Sequence, residues 1–100
     1  MNLSNNSERL VKQMKVNFDF VHREIMGDHV LVPVGKTSTV FNGLFPLTDT
    51  AAFIWDLLPD APDENYIVTK LLGEYEIDKE TAERDVSAFI TKLREFRIID

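Results

Sequence analysis

At Leu47 the rhythm of apolar residues changes, and that change restricts the chain to few architectures. Before it, from Phe18 to Phe41, apolar and β-branched residues come at strand-like spacing, broken by turn chemistry. After it, they recur every three or four residues as far as Phe96. Strands that precede helices, rather than alternate with them, predict an α+β domain and argue against a doubly wound parallel sheet.

In the first half, Phe18 to Met26 mixes apolar residues with charges, Gly27-Asp28 supplies a turn, and His29 to Val34 resumes the strand pattern. A third run, from Thr37 to Phe41, is β-branched and ends at Asn42-Gly43, which predicts a three-stranded antiparallel meander. Pro33 has no N–H for a ladder and belongs at a bulge, a strand end or an outward position. In the second half, Thr48-Asp49 is a helix start, with Ala51, Ala52, Ile54, Trp55 and Leu58 following until Pro59. Asp63 opens a second helix through Ile67, Val68, Leu71 and Leu72 toward Tyr75. Asp78 opens the longest, with Ala82, Val86, Phe89, Ile90, Leu93 and Phe96 along one stripe. Acids in its first turns and bases in its last agree with the helix dipole. The expected fold is α+β and winged helix-turn-helix-like, a three-stranded antiparallel sheet followed by three helices, over residues 15–100. Residues 1–14 are expected to be a polar extension, with Ser7 placed to cap a short helix from Glu8 to Met14.

One hundred residues with 44% hydrophobic content supply one core. So small a domain has little room for an enclosed active-site cavity, which favours a binding surface over a catalytic cleft. The absence of cysteine excludes disulfides, thiolate zinc sites, iron–sulfur clusters and cysteine nucleophiles. His22 and His29 flank the predicted hairpin turn, but two imidazoles without a third ligand make a poor metal site. Glu24, two residues from His22, shares its strand face without making a pocket. The glycines stand singly, so there is no phosphate loop, and neither Ser38 nor Ser87 has a histidine partner. No catalytic, metal or cofactor-binding residue is therefore expected.

Charge excludes a further class. Residues 1–55 are neutral and residues 56–85 carry a net −7, and the predicted third helix begins with four acids in eight residues. Either of the last two helices would approach a phosphate backbone with the wrong sign, which weighs against a winged-helix DNA-binding regulator. Apolar runs such as Val30–Val34 fall far short of the ~20 residues that span a bilayer. No segment has signal-peptide character, so the expected address is the cytoplasm.

What remains is an edge. The predicted strand Thr37, Ser38, Thr39, Val40, Phe41, Asn42 has neither acid nor proline to deter a partner strand. Such an edge is covered by a loop, used in dimerisation, or open to an extended peptide by β-augmentation. Phe89, Leu93 and Phe96 are then either the other wall of a groove or core.

The runs Phe20–Gly35 (FVHREIMGDHVLVPVG), Val40–Leu58 (VFNGLFPLTDTAAFIWDLL) and Thr81–Asp100 (TAERDVSAFITKLREFRIID) resemble the PqqD-like family of precursor-peptide recognition elements. The order and spacing of these pieces carry the resemblance, which covers roughly residues 15–100. It implies a free-standing, non-catalytic chaperone, monomeric or weakly dimeric, that binds the leader of a ribosomally made precursor as an added strand. A separate modifying enzyme, often a radical S-adenosylmethionine enzyme, would then act on the core. Carried over by position, the strand contacts would come from Thr37 to Asn42. The helix wall would come from Asp85, Ala88, Phe89, Lys92, Leu93 and Phe96.

Overall fold

A computed structural model describes residues 16–99. The polar extension and the helix expected from Glu8 to Met14 lie outside the described residues. Strands β1 (Phe20–Ile25) and β2 (Asp28–Pro33) form an antiparallel hairpin, and β3 (Phe45–Leu47) pairs antiparallel with the other side of β2. Met26 (φ 53°) and Gly27 (φ 89°) both take left-handed backbone, the requirement of a two-residue type I′ turn. The turn thus falls one residue earlier than expected, and Asp28 pairs with Ile25. Gly27 takes the second left-handed place, the position glycine favours, and Met26 is carried into the first.

The register fixes which side chains face the helices. Leu31 lies opposite His22 on β1 and opposite Phe45 on β3, while His29 lies opposite Glu24 and Leu47. Alternation therefore sends Phe20, His22, His29, Leu31, Phe45 and Leu47 to one face.

Three helices follow. Helix α1 (Asp49–Leu57) is capped by Thr48, whose Oγ1 accepts from the Ala51 N–H at 3.1 Å, and it runs into a 3₁₀ turn at Leu58–Asp60. Helix α2 (Glu64–Glu74) is capped by Asp63, which accepts from the Tyr66 N–H at 2.9 Å. Helix α3 (Lys79–Glu95) is capped by Asp78, which accepts from the Thr81 N–H at 3.3 Å and its hydroxyl at 2.6 Å. All three starts fall where the sequence places them.

Ile54, Leu58, Ile67, Leu71, Val86, Ile90, Ile98 and Ile99 bury almost completely with Leu31. Each such side chain contributes about 1.5–3 kcal/mol relative to exposure. The chain leaves α3 by a Schellman closure in which Arg97 (φ 60°) takes the left-handed position usual for glycine, and the Ile98 N–H returns to the Leu93 carbonyl at 2.8 Å. The Asn17 N–H then donates to the Ile98 carbonyl at 2.7 Å, and Val16 bridges to Ile99, so both ends of the described chain are tied.

The Asp78 carboxyl is held below the usual carboxylate range, chiefly by the Thr81 hydroxyl and then by the Thr81 N–H. Because the folded value lies below the unfolded one, the cap's contribution is complete above about pH 4 and is lost as pH falls through the folded value. Thermal unfolding from pH 5 to pH 2 should therefore show the native chain losing stability faster than Asp78→Asn, which keeps an acceptor but cannot titrate. Parallel profiles would contradict the assignment.

Candidate functional site

The third strand is not where the β-branched run suggests. Gly35–Thr39 is a 3₁₀ helix, and β3 comes six residues later. The cause is local. Gly35 (φ 59°) turns the chain away after β2, and the hydroxyls of Ser38 and Thr39 donate back to the Gly35 and Lys36 carbonyls at 2.6 and 2.7 Å. Short polar side chains thus offer the backbone an alternative to a ladder. Thr37 is 5% exposed, and its Oγ1 accepts from the Asp19 N–H at 2.8 Å. Phe41 packs edge-to-face on Phe18 and Phe45 at 5.0 and 5.6 Å. Val40 is exposed, and Asn42 precedes the bend at Gly43. None of the six forms a strand edge.

That edge belongs to β3. It is the last strand in the order β1-β2-β3, so its outer side has no sheet neighbour among the described residues. Its middle residue, Pro46, lies opposite Val30. A strand accommodates proline where its backbone faces away from the neighbouring strand, so the outer edge offers the Pro46 carbonyl as an acceptor and no donor beside it. This guards the edge against casual pairing while leaving it usable.

Between β3 and α3 lies a cleft of about 680 Å³. Leu31, Ile54, Leu93 and Ile98, all buried, form its floor. Phe45, Pro46, Leu47 and Thr48 make one wall, Thr50 and Ala51 of α1 also line it, and Asp85, Ala88, Phe89, Lys92 and Phe96 make the other wall. The Phe45 and Phe96 rings meet edge-to-face at 6.0 Å, which brings the start of β3 beside the end of α3. Phe96 is 49% exposed and so presents apolar surface at the mouth of the cleft.

The apolar stripe of α3 divides here between two tasks. Ala82, Val86, Ile90 and Leu93 pack into the core, while Asp85, Ala88, Phe89, Lys92 and Phe96 follow the same spacing one residue round and turn to the cleft. All six helix residues expected for the wall line it, Leu93 serving both core and cleft. Leu31, Phe45–Thr48, Thr50, Ala51, Ile54 and Ile98 were not anticipated. The available signal was the apolar Leu44-Phe45-Pro46-Leu47 between two turn-like segments. The cleft's ionisable residues are Asp85 and Lys92, seven apart on α3 and hence about 10 Å apart along its axis. That distance suits two separate contacts and not concerted acid–base chemistry.

The sequence pattern of a known family, described as coenzyme PQQ synthesis protein D (PqqD), matches residues 28–99. The chain belongs to the PqqD family. A comparison with curated proteins gave no match. Among solved structures, TbiB1 in complex with the TbiA(beta) leader peptide is 26% identical with a TM-score of 0.65. Lasso peptide synthetase B1 complexed with the leader peptide is 25% identical with a TM-score of 0.64. Each similarity covers 87% of this chain and 95% of the other. The matched span in this PqqD-family chain begins at the first residue of β2 and includes every element that lines the cleft.

The reassigned 35–42 segment makes a measurable distinction. Thr37→Val leaves the part-buried Asp19 N–H without its acceptor and should cost about 1–3 kcal/mol in denaturant unfolding. Ser38→Ala, on an exposed hydroxyl, should stay within about 0.5 kcal/mol of the native chain. Equal effects would mean that the Thr37 tie carries no weight.

Proposed function

We propose that this chain is a non-catalytic peptide-binding module, and that the leader of a ribosomally made precursor adds as a strand along the outer edge of β3. Leader side chains facing inward enter the cleft against α3, and the segment beyond the leader is presented to a modifying enzyme on a separate chain. The observation that carries this reading is an open strand edge bordering an apolar cleft, in a chain similar over 87% of its length to two leader-peptide complexes. Main-chain hydrogen bonds to the edge supply affinity, and the cleft chooses side chains.

The geometry gives the bound strand a direction. A leader antiparallel to β3 passes Leu47 before Phe45, so its later residues come beside Phe96. Apolar leader residues then meet Phe89 and Leu93. Lys92 favours an acidic leader residue, and Asp85 a basic one.

The strand contacts first assigned to Thr37–Asn42 pass in this reading to Phe45–Thr48, while Asp85, Ala88, Phe89, Lys92, Leu93 and Phe96 keep the opposite wall. Residues 15–100 form the recognition unit. The family resemblance offers a radical S-adenosylmethionine enzyme as the partner, and the sequence's lack of signal-peptide character makes the cytoplasm the place where the two would meet. No helix among the described residues is long and apolar enough to cross a membrane.

The test is an NMR titration of the labelled domain with synthetic leaders from the small open reading frames beside its gene, in the presence and absence of the neighbouring modifying enzyme. Saturable shifts confined to residues 44–51 and 85–98 are expected. Ala88 is exposed on the cleft wall, so Ala88→Arg should weaken binding at least tenfold with little change in Tm. Shifts confined to residues 37–42, or binding indifferent to Ala88→Arg, would overturn the assignment of the cleft. A stable dimer through β3 that no leader displaces would replace peptide capture with self-association.

A further inference from the structure

The helices cover one side of the sheet, and the other side is apolar as well. Phe20, Phe45 and Leu47 turn to the helices and pack against the core. Alternation sends Val21, Arg23 and Ile25 of β1, with Asp28, Val30 and Val32 of β2, to the opposite face. None of the aliphatic side chains among them packs against the core cluster. The register sets them in rows, with Val21 opposite Val32, Arg23 opposite Val30 and Ile25 opposite Asp28. Val34, one step past β2 with its N–H on the Asp19 carbonyl, continues the pattern and is 36% exposed, while Ile25 is 48% exposed. An antiparallel sheet with one face on the core ordinarily turns polar side chains to water on the other. Here most of those positions are Val or Ile.

Two charges interrupt this face, and they identify what fits it. Arg23 and Asp28 lie diagonally across β1 and β2, and neither forms an ion pair with another described residue. One positive and one negative charge on a flat face are complementary to a second copy of that face, because the twofold axis that bisects them lays each over its opposite. Other approaches of two copies meet repulsion. The net −7 of residues 56–85 sits at the end of α1, on α2 and on the first half of α3, all on the helix side. Two copies placed sheet to sheet keep these acidic sides apart.

We propose that the face of the sheet turned away from the helices is a self-association surface, on which a second copy of this chain packs about a twofold axis between Arg23 and Asp28. The aliphatic rows of the two copies stack at the ~10 Å spacing of packed sheets, and each Arg23 meets the Asp28 of the other copy. Two six-residue strands and one of three residues outline a face of about 250 Å². With side-chain relief, two such faces bury less than about 1,200 Å² in total, the range of weak and reversible association. The cleft lies on the helix side and the free edge of β3 at the side of the sheet, so the pair carries two open clefts.

The experiment is sedimentation equilibrium of the full chain from micromolar to millimolar concentration, without peptide. A monomer–dimer equilibrium with a dissociation constant between about 10 μM and 1 mM is expected. Val32→Lys should weaken it at least about tenfold. Arg23→Asp and Asp28→Arg should each weaken it about tenfold, since each changes two contacts per dimer, and the exchange R23D/D28R should restore it to within about threefold. Methyl NMR of the native chain gives a second readout if a variant fails to fold. It should show concentration-dependent shifts at Val21, Val30 and Val32, with contacts between differently labelled copies across this face. A chain that stays monomeric at millimolar concentration, association that R23D/D28R does not restore, or contacts between copies at either sheet edge instead would each overturn the proposal. So would a cover of the face by residues 1–15 that persists on dilution. Association is measured without peptide, so this proposal and the peptide-binding reading fail separately.

Discussion

Leu31 is the residue on which the other elements converge. It sits in the central strand, opposite His22 on one side and Phe45 on the other, is 1% exposed, and belongs to the core while also flooring the cleft. Burying it requires helices over one face of the sheet, and it requires β3 to pair at a single register, since a slip of one residue would turn Phe45 and Leu47 outward. The same register leaves β3 three residues long, with its outer edge uncovered. Helix α3 packs on α2 and touches β3 through the Phe96–Phe45 ring pair, and the gap between α3 and the sheet edge is the cleft. Core and candidate site are thus two sides of one packing solution.

What could be read from the sequence was whatever local chemistry decides. Thr48, Asp63 and Asp78 announce helix starts through side-chain acceptors that need nothing distant, and all three accept from the N–H three residues on. The stripe of α3 was legible because seventeen residues give the 3.6-residue period room to show itself. Thr37–Asn42 misled for the opposite reason. Its β-branched residues satisfy strand preference, but that preference is weaker than hydroxyl-to-carbonyl bonds within the segment and the tie from Thr37 to Asp19. The real third strand was hidden by Pro46 and by its length, since three residues cannot display alternation. The core stripe of α3 was therefore open to sequence reasoning, its cleft-facing neighbours came only with the family resemblance, and the strand wall depended on a long-range pairing with β2.

The two histidines show a second limit of the same kind. Along the chain they are seven residues apart, flanking a turn, yet in the fold their rings meet at 2.8 Å while His22 Nδ1 lies 3.0 Å from Asp56 Oδ1 and His29 Nε2 3.3 Å from Asp49 Oδ1, and nothing local announces it. The antiparallel register places His22 and His29 diagonally on one face, and the seven-residue spacing of Asp49 and Asp56 brings both carboxylates to one side of α1.

The design of the edge bears on how recognition would work in a domain this small. An uncovered strand is an aggregation hazard, and removing its central donor through Pro46 lowers that hazard without closing the edge. The cost is fewer main-chain bonds for any strand that adds there, so a partner must draw more of its affinity from side chains in the cleft. Phe89, Leu93 and Phe96 supply apolar contact, while Lys92 and Asp85 sit far enough apart to be read as two separate charges. On the proposed reading, an edge that pairs weakly beside a cleft with apolar and charged walls would give discrimination among extended peptides that a long, donor-rich edge would not.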